Sequence, residues 1–141
     1  MARWLHPGIN TKFHIDLDWW KKANRNFRLY LQDSLCSTCR RQYPDENEQG
    51  ELDWIHPKTG EVKQVDVLWE CLLSCCSQAP DYITPTTPLT NAVFRTLLAN
   101  FNEPLSPVEI HRRIRQSNPQ TILQVLTRGE IQLGIVPVQE G

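Results

Sequence analysis

The chain has 141 residues, room for one domain or two small ones, and sets fifteen Lys and Arg against sixteen Asp and Glu among 40% apolar residues. These values sit near the globular average and exclude a collagen, a disordered tail and a coiled coil. No apolar run approaches the roughly 18 to 20 residues of a membrane span, and Met1–Pro7 lacks the apolar stretch of a signal peptide, so the expectation is a cytoplasmic protein with no membrane partner.

Near-neutrality hides an asymmetry. Residues 1–43 carry +5, residues 44–83 carry −7 and residues 84–141 carry +1. A basic face for nucleic acid is one reading of the first segment, and attraction between the first two segments within one fold is the simpler one.

The first periodic signal runs from Asp18 to Leu35, where Trp20, Ala23, Phe27, Tyr30, Leu31 and Leu35 recur at three- and four-residue intervals. It predicts one amphipathic helix, capped by Asp16 or Asp18, with Lys21, Lys22, Arg25 and Arg28 off its apolar face. After Cys36-Ser37-Thr38-Cys39 the period vanishes into an acidic surface loop around 45–50. Two extended stretches, Leu52–His56 and Glu61–Val65, flank Pro57-Lys58-Thr59-Gly60 and predict a β-hairpin. Helical spacing returns over Val67–Gln78, with Asp66 as a cap. Pro80, Pro85 and Pro88 among threonines then mark a break.

Beyond the break, Asn91–Asn100 places Val93, Phe94, Leu97 and Leu98 on one helical face. Ser106-Pro107-Val108-Glu109 is a capping box with Pro at the first helical position, opening a helix to about Arg115. Pro119 starts the next helix, which Gly129 ends. Ile131, Leu133 and Ile135 alternate with polar or small residues as a strand.

Five cysteines in a cytoplasmic chain are expected as thiols or metal ligands rather than disulfides. Cys36 and Cys39 are spaced as a knuckle, and Cys71 and Cys75 stand four apart on a helix, sharing a face. At 100° per residue Cys76 falls in the middle of the buried stripe with Leu68 and Leu72, while Cys71 and Cys75 lie together at its edge. Cys36, Cys39, Cys71 and Cys75 are therefore the expected metal ligands, and Cys76 a packed, inert thiol. Ordinary buried cysteines are the alternative, and His14 or His56 could replace one ligand. Zinc in a closed, structural site ranks ahead of an iron-sulfur cluster, which the same ligands would suit. A knuckle, a hairpin and a helix bringing two more ligands resemble a treble-clef zinc finger over about 35–78, although that family usually spaces its second pair by two residues in the first helical turn.

Helix 107–115, a short turn and helix 119–128 have the lengths of a helix-turn-helix. With the preceding helix and the following strand, residues 88–138 resemble a winged-helix domain. Ile122, Leu123, Val125 and Leu126 cluster on one side of the second helix, leaving Gln120, Thr121, Gln124, Thr127 and Arg128 outward. Gln, Thr and Arg are chemically able to read base edges, and Arg112, Arg113 and Arg115 to anchor phosphates. A wing is ordinarily a two-stranded hairpin, so Ile131–Val138 is expected to pair elsewhere or stay alone.

No Gly-rich phosphate loop, nucleophile elbow or paired His-Glu metal motif occurs, so neither an enzyme nor a small-molecule substrate is expected. His14-Ile15-Asp16-Leu17-Asp18 could bind an oxygen-preferring cation, but a helix cap explains its carboxylates more simply. The expected fold is α+β and mainly helical: a metal-binding half (1–79), a Pro/Thr-rich connection (80–89) and a winged-helix-like half (90–141). The expected function is a small DNA-binding transcriptional regulator acting on double-stranded DNA. The alternative is a non-enzymatic adaptor that docks protein partners through the same helices.

Overall fold

The computed structural model describes residues 6–45, 50–114 and 116–138. The fold is α+β and mainly helical. In chain order come β1 (Phe13–Ile15), α1 (Leu17–Lys22), α2 (Phe27–Asp33), α3 (Ser37–Gln42), β2 (Glu51–Ile55), β3 (Val62–Asp66), α4 (Val67–Ser74), a 3-10 turn (Cys76–Gln78), α5 (Leu89–Ala99), α6 (Pro107–Ile114), α7 (Pro119–Thr127) and β4 (Ile135–Pro137). The chain forms two compact units, one of Met1–Arg25 with Ile83–Gly141 and the other of Asn26–Tyr82. The expected break near residue 80 is therefore an edge of the second unit, but the amino-terminal segment belongs with the carboxy-terminal helices.

The reason for that grouping is strand pairing. β1 pairs antiparallel with β4, Phe13 opposite Pro137 and Ile15 opposite Ile135. On its other side Phe13 exchanges both backbone hydrogen bonds with Leu105, at 2.8 and 3.0 Å, in the loop between α5 and α6. Asn102, in a left-handed conformation (φ 57°), extends this edge with its side chain. Its Oδ1 accepts from the Ile15 N–H at 2.7 Å and its Nδ2 donates to the Ile15 carbonyl at 2.8 Å, as a neighbouring strand would. Phe13, Ile15, Trp20, Val93, Leu97, Leu98, Ile110, Ile122 and Ile135 form the buried core. The Trp20 indole stacks obliquely on Phe94 and donates to the Leu133 carbonyl at 3.1 Å, so its one polar atom is satisfied.

The helices of this unit end where the sequence indicates. The Ser106 hydroxyl accepts from the Glu109 N–H at 3.2 Å while the Glu109 carboxylate accepts from the Ser106 N–H at 2.9 Å, a complete capping box. Asn118 caps α7 through the Thr121 N–H. The strand expected over Ile131–Val138 is shorter: Leu133 (φ 54°) and Gly134 (φ 74°) form a left-handed turn, and only Ile135–Pro137 is extended.

The single helix expected over Asp18–Leu35 is two. Asn24 adopts φ 55°, which ends the α1 ladder, and Asn26 starts α2 by accepting from the Leu29 N–H. The apolar period continues across the break and serves two cores: Trp20 packs in the first unit, whereas Phe27 meets Trp69 in the second at a centroid distance of 5.7 Å. Asp16 is the α1 cap, accepting from the Asp18 N–H, which accounts for one carboxylate of the His-x-Asp-x-Asp motif.

In the second unit the hairpin forms as expected, Leu52 opposite Val65 and Ile55 opposite Val62, with Gly60 left-handed (φ 74°) in its turn. Asp66 joins it to α4: one carboxylate oxygen caps the Leu68 N–H, and both receive the Arg28 guanidinium at 2.9 and 3.0 Å. A bidentate pair of this kind fixes α2 against the start of α4.

A Cβ on Gly134 would meet the Trp20 Nε1 at 2.8 Å and the Asp16 carbonyl at 3.1 Å, whereas Gly129 (φ 67°) faces open space. Gly134→Ala should therefore cost clearly more in thermal unfolding than Gly129→Ala, which carries only the backbone penalty of about 1 kcal/mol; equal losses would contradict this packing. The Lys12 ammonium, 2.5 Å away, and then the Ser106 N–H hold the Glu109 carboxyl down at about 2. Its stabilising contribution is present above about 4.5 and is lost as pH falls toward 2, at most about 1 kcal/mol for a partly exposed pair. Glu109→Gln should flatten acid unfolding over that window.

Candidate metal and redox centre

All five cysteines lie in the second unit, and three elements bring them together. Cys36 stands at the amino end of α3 and Cys39 one turn in, a helix that the acidic composition beyond it concealed. Cys71 lies on the buried side of α4. The helix expected to continue to Gln78 stops at Ser74, because Cys75 turns out of it (φ −126°, ψ −61°) before the 3-10 turn begins at Cys76. The four-residue spacing of Cys71 and Cys75 thus does not stack them along one helix. Instead Cys75 swings to the surface, where its Sγ lies 3.7 Å from the Cys36 Sγ.

Cys39 and Cys71 are joined in a disulfide, Cα to Cα 6.4 Å, which corrects the expectation of thiols throughout. Packing of α3 on α4 explains it: both residues are buried, and the Cys39 sulfur also reaches the Cys71 carbonyl. Cys76 is fully buried as expected, but it is not a spectator. Its Sγ accepts the Cys36 N–H at 3.0 Å. Burial pushes the Cys76 thiol up to about 12. The Cys36 thiol is lowered, chiefly by the Cys39 N–H, and the Cys75 thiol is raised, chiefly by its hydrogen bond with Cys36.

Two triads of sulfurs, Cys36/Cys39/Cys75 and Cys39/Cys71/Cys76, each lie within 4.8 Å of one another, and they share Cys39. Either group could hold a metal ion once the Cys39–Cys71 bridge is reduced, because the ligand is a thiolate and not a disulfide sulfur. A tetrahedral thiolate site with metal–sulfur bonds of about 2.3 Å places its sulfurs about 3.8 Å apart, and the Cys36–Cys75 separation of 3.7 Å fits that edge. The four expected ligands are thus distributed over both triads, with Cys76 as a fifth sulfur that the helical wheel assigned to packing. Neither histidine offered as a substitute belongs to the sulfur groups: His14 sits on β1, and His56 Nδ1 accepts the Lys58 and Thr59 N–H groups in the hairpin turn.

The residues expected at a nucleic-acid surface lie in the first unit. Gln120, Gln124 and Arg128 are exposed along α7 and at its end, and Thr121 is half-buried at the α7 start. Arg112 and Arg113 are exposed on α6, with an Arg113 Nη1 donating to the Asn100 Oδ1 at 2.9 Å. Arg115 lies outside the described residues. No helix among the described residues is long and apolar enough to cross a membrane. No protein-family model, curated protein or solved structure gives a significant match to the chain.

The disulfide closes a loop of 32 residues, for which the chain-entropy account gives about 3–4 kcal/mol. Cys71→Ser should lower the stability of the oxidised protein by an amount of that order in urea unfolding. Alkylation of the native, unreduced protein should mark Cys36 and Cys75, and Cys76 only on unfolding; prompt labelling of Cys39 or Cys71 would contradict the bridge.

Proposed function

We propose that the protein is a small, zinc-stabilised DNA-binding regulator in which the first unit meets the duplex and the second unit holds the ion. One observation carries the nucleic-acid reading: the segments that fold together are segregated by charge. The first unit has ten basic against six acidic side chains, a net +4, and the second has five against ten, a net −5. The +1 of residues 84–141 alone understates the charge of the body that contains α6 and α7.

The strand arrangement is compatible with a winged-helix-type unit. Leu105, β1 and β4 stand in the order of a small three-stranded sheet beside α5–α7, with β1 taking the place of a strand that a wing hairpin ordinarily supplies. β1 and β4 are not joined by a hairpin loop, so this reading places the contact on α7. Gln120, Gln124 and Arg128 would face base edges, and Arg112 and Arg113 the phosphates.

In the second unit, the chemistry of the donor set favours zinc. Thiolates are soft ligands, and a closed set of four leaves no position for water, so the ion would act on folding rather than catalysis. With the Cys39–Cys71 bridge reduced, Cys36, Cys39 and Cys75 would supply three ligands and Cys71 or Cys76 the fourth.

The adaptor reading has its own support. Ile55 and Val62 form a cross-strand apolar pair on the hairpin that is 63% and 57% exposed, a feature that protein docking would use. A salt series on random duplex DNA separates the two. A DNA contact through about five phosphates should give a log–log slope near −4.5, and replacing Arg112 and Arg113 by Ala should flatten it by about one unit per contact. Absent low-salt affinity, or a slope indifferent to those changes, transfers the function to protein docking. Independently, the reduced protein should bind about one zinc per chain without a visible absorption band, and Cys39→Ser should abolish uptake; a brown protein would mean an iron-sulfur cluster instead.

A further inference from the structure

The buried disulfide and the surface thiols stand in a chain of sulfurs. Cys39 and Cys71 are 2% and 8% exposed, so a thiol in solution has little access to either sulfur of their bridge. Cys36 is half-buried and Cys75 exposed. The Cys36 Sγ lies within 4.8 Å of the Cys39 Sγ and 3.7 Å from the Cys75 Sγ. Sulfur exchange needs only that a thiolate reach one sulfur of a disulfide, and here each successive partner is a near neighbour.

We propose that the cluster is a thiol–disulfide relay in which Cys36 opens the buried Cys39–Cys71 bridge and hands it to Cys75 at the surface. In the first step the Cys36 thiolate attacks the Cys39 Sγ. A Cys36–Cys39 bond forms, the Cys39–Cys71 bond breaks, and Cys71 leaves as a thiolate with the bonding pair and takes up a proton. In the second step the Cys75 thiolate attacks the Cys36 Sγ, forming Cys36–Cys75 and releasing Cys39 as a thiolate. Neither step changes the oxidation state of the protein; the disulfide moves from the interior to the exposed pair. There a low-molecular-mass dithiol reduces it by two further exchanges, leaving five thiols in the protein and the reductant as its cyclic disulfide.

This goes beyond a structural metal site. The sulfurs that would hold an ion are the ones the bridge consumes, so the relay sets whether the cluster is a disulfide or a ligand set. A thiol reductant or disulfide of the surroundings would then be the signal to which the second unit responds.

The test is the rate at which dithiothreitol reduces the Cys39–Cys71 bridge in the full-length native protein, with EDTA present so that metal binding plays no part. Samples are quenched in acid, alkylated and mapped by mass spectrometry. Cys36→Ser should slow reduction by at least about tenfold. In guanidinium, where the bridge is open to solvent, the variant and the parent should react alike. Partially reduced wild-type protein, which needs no substitution, should contain Cys36–Cys39 or Cys36–Cys75 pairs. A Cys36→Ser rate within about twofold of wild type, or a wild-type map showing only Cys39–Cys71 and fully reduced chains, would overturn the relay.

Discussion

The pairing of β1 with Leu105 on one side and β4 on the other is the constraint on which the first unit depends. It links residues near position 13 to residues near 105 and 137, and so closes a body whose two pieces are separated by the whole second unit. A three-residue strand is too short to be stable by itself. It is held because Phe13 and Ile15 are buried, and because Asn102 supplies at the end of the strand the donor and acceptor that a longer neighbour would have provided. The left-handed turn at Leu133-Gly134 is part of the same constraint: it delivers β4 to β1 while exposing the Leu133 carbonyl to the Trp20 indole.

The second unit solves a different problem. Its hairpin and helices are short, and its apolar core is supplemented by two cross-links of different kinds. The Arg28–Asp66 pair ties α2 to the junction of β3 and α4, and the Cys39–Cys71 bridge ties α3 to α4. The chain turns out of the helix at Cys75, and this break makes the cluster chemically uneven. Cys71 and Cys76 stay inside with high thiol character or in a bond, while Cys75 reaches solvent beside Cys36. A regular helix through Gln78 would have kept Cys75 beside Cys71 on one face instead of turning it toward Cys36.

Much of this was legible in local patterns. The capping box at Ser106–Glu109, the helix start at Pro119, the left-handed Gly129, the hairpin around Pro57–Gly60 and the three carboxy-terminal helices follow from signals that act over three or four residues. The errors fell where a local signal was overridden. The stripe from Trp20 to Leu35 is periodic throughout, yet Asn24 and Asn26 divide it, because two cores rather than one receive its apolar side chains. Likewise the helical wheel correctly buried Cys76 but read burial as inertness, since it carries no information about the Cys36 N–H aimed at that sulfur.

The sequence by itself determined the identity and approximate limits of most elements, the segregation of charge along the chain and the five-thiol inventory, because propensity, capping and amphipathic period depend on neighbours a few positions apart. Only the tertiary structure decided that the amino-terminal strand completes the carboxy-terminal body, that the body so assembled is basic, and that Cys39 bonds to Cys71 while Cys36 meets Cys75. Those outcomes depend on encounters between residues from about 30 to more than 120 positions apart, and the free energy that selects among such encounters comes from burying whole faces together, which no short window of sequence contains.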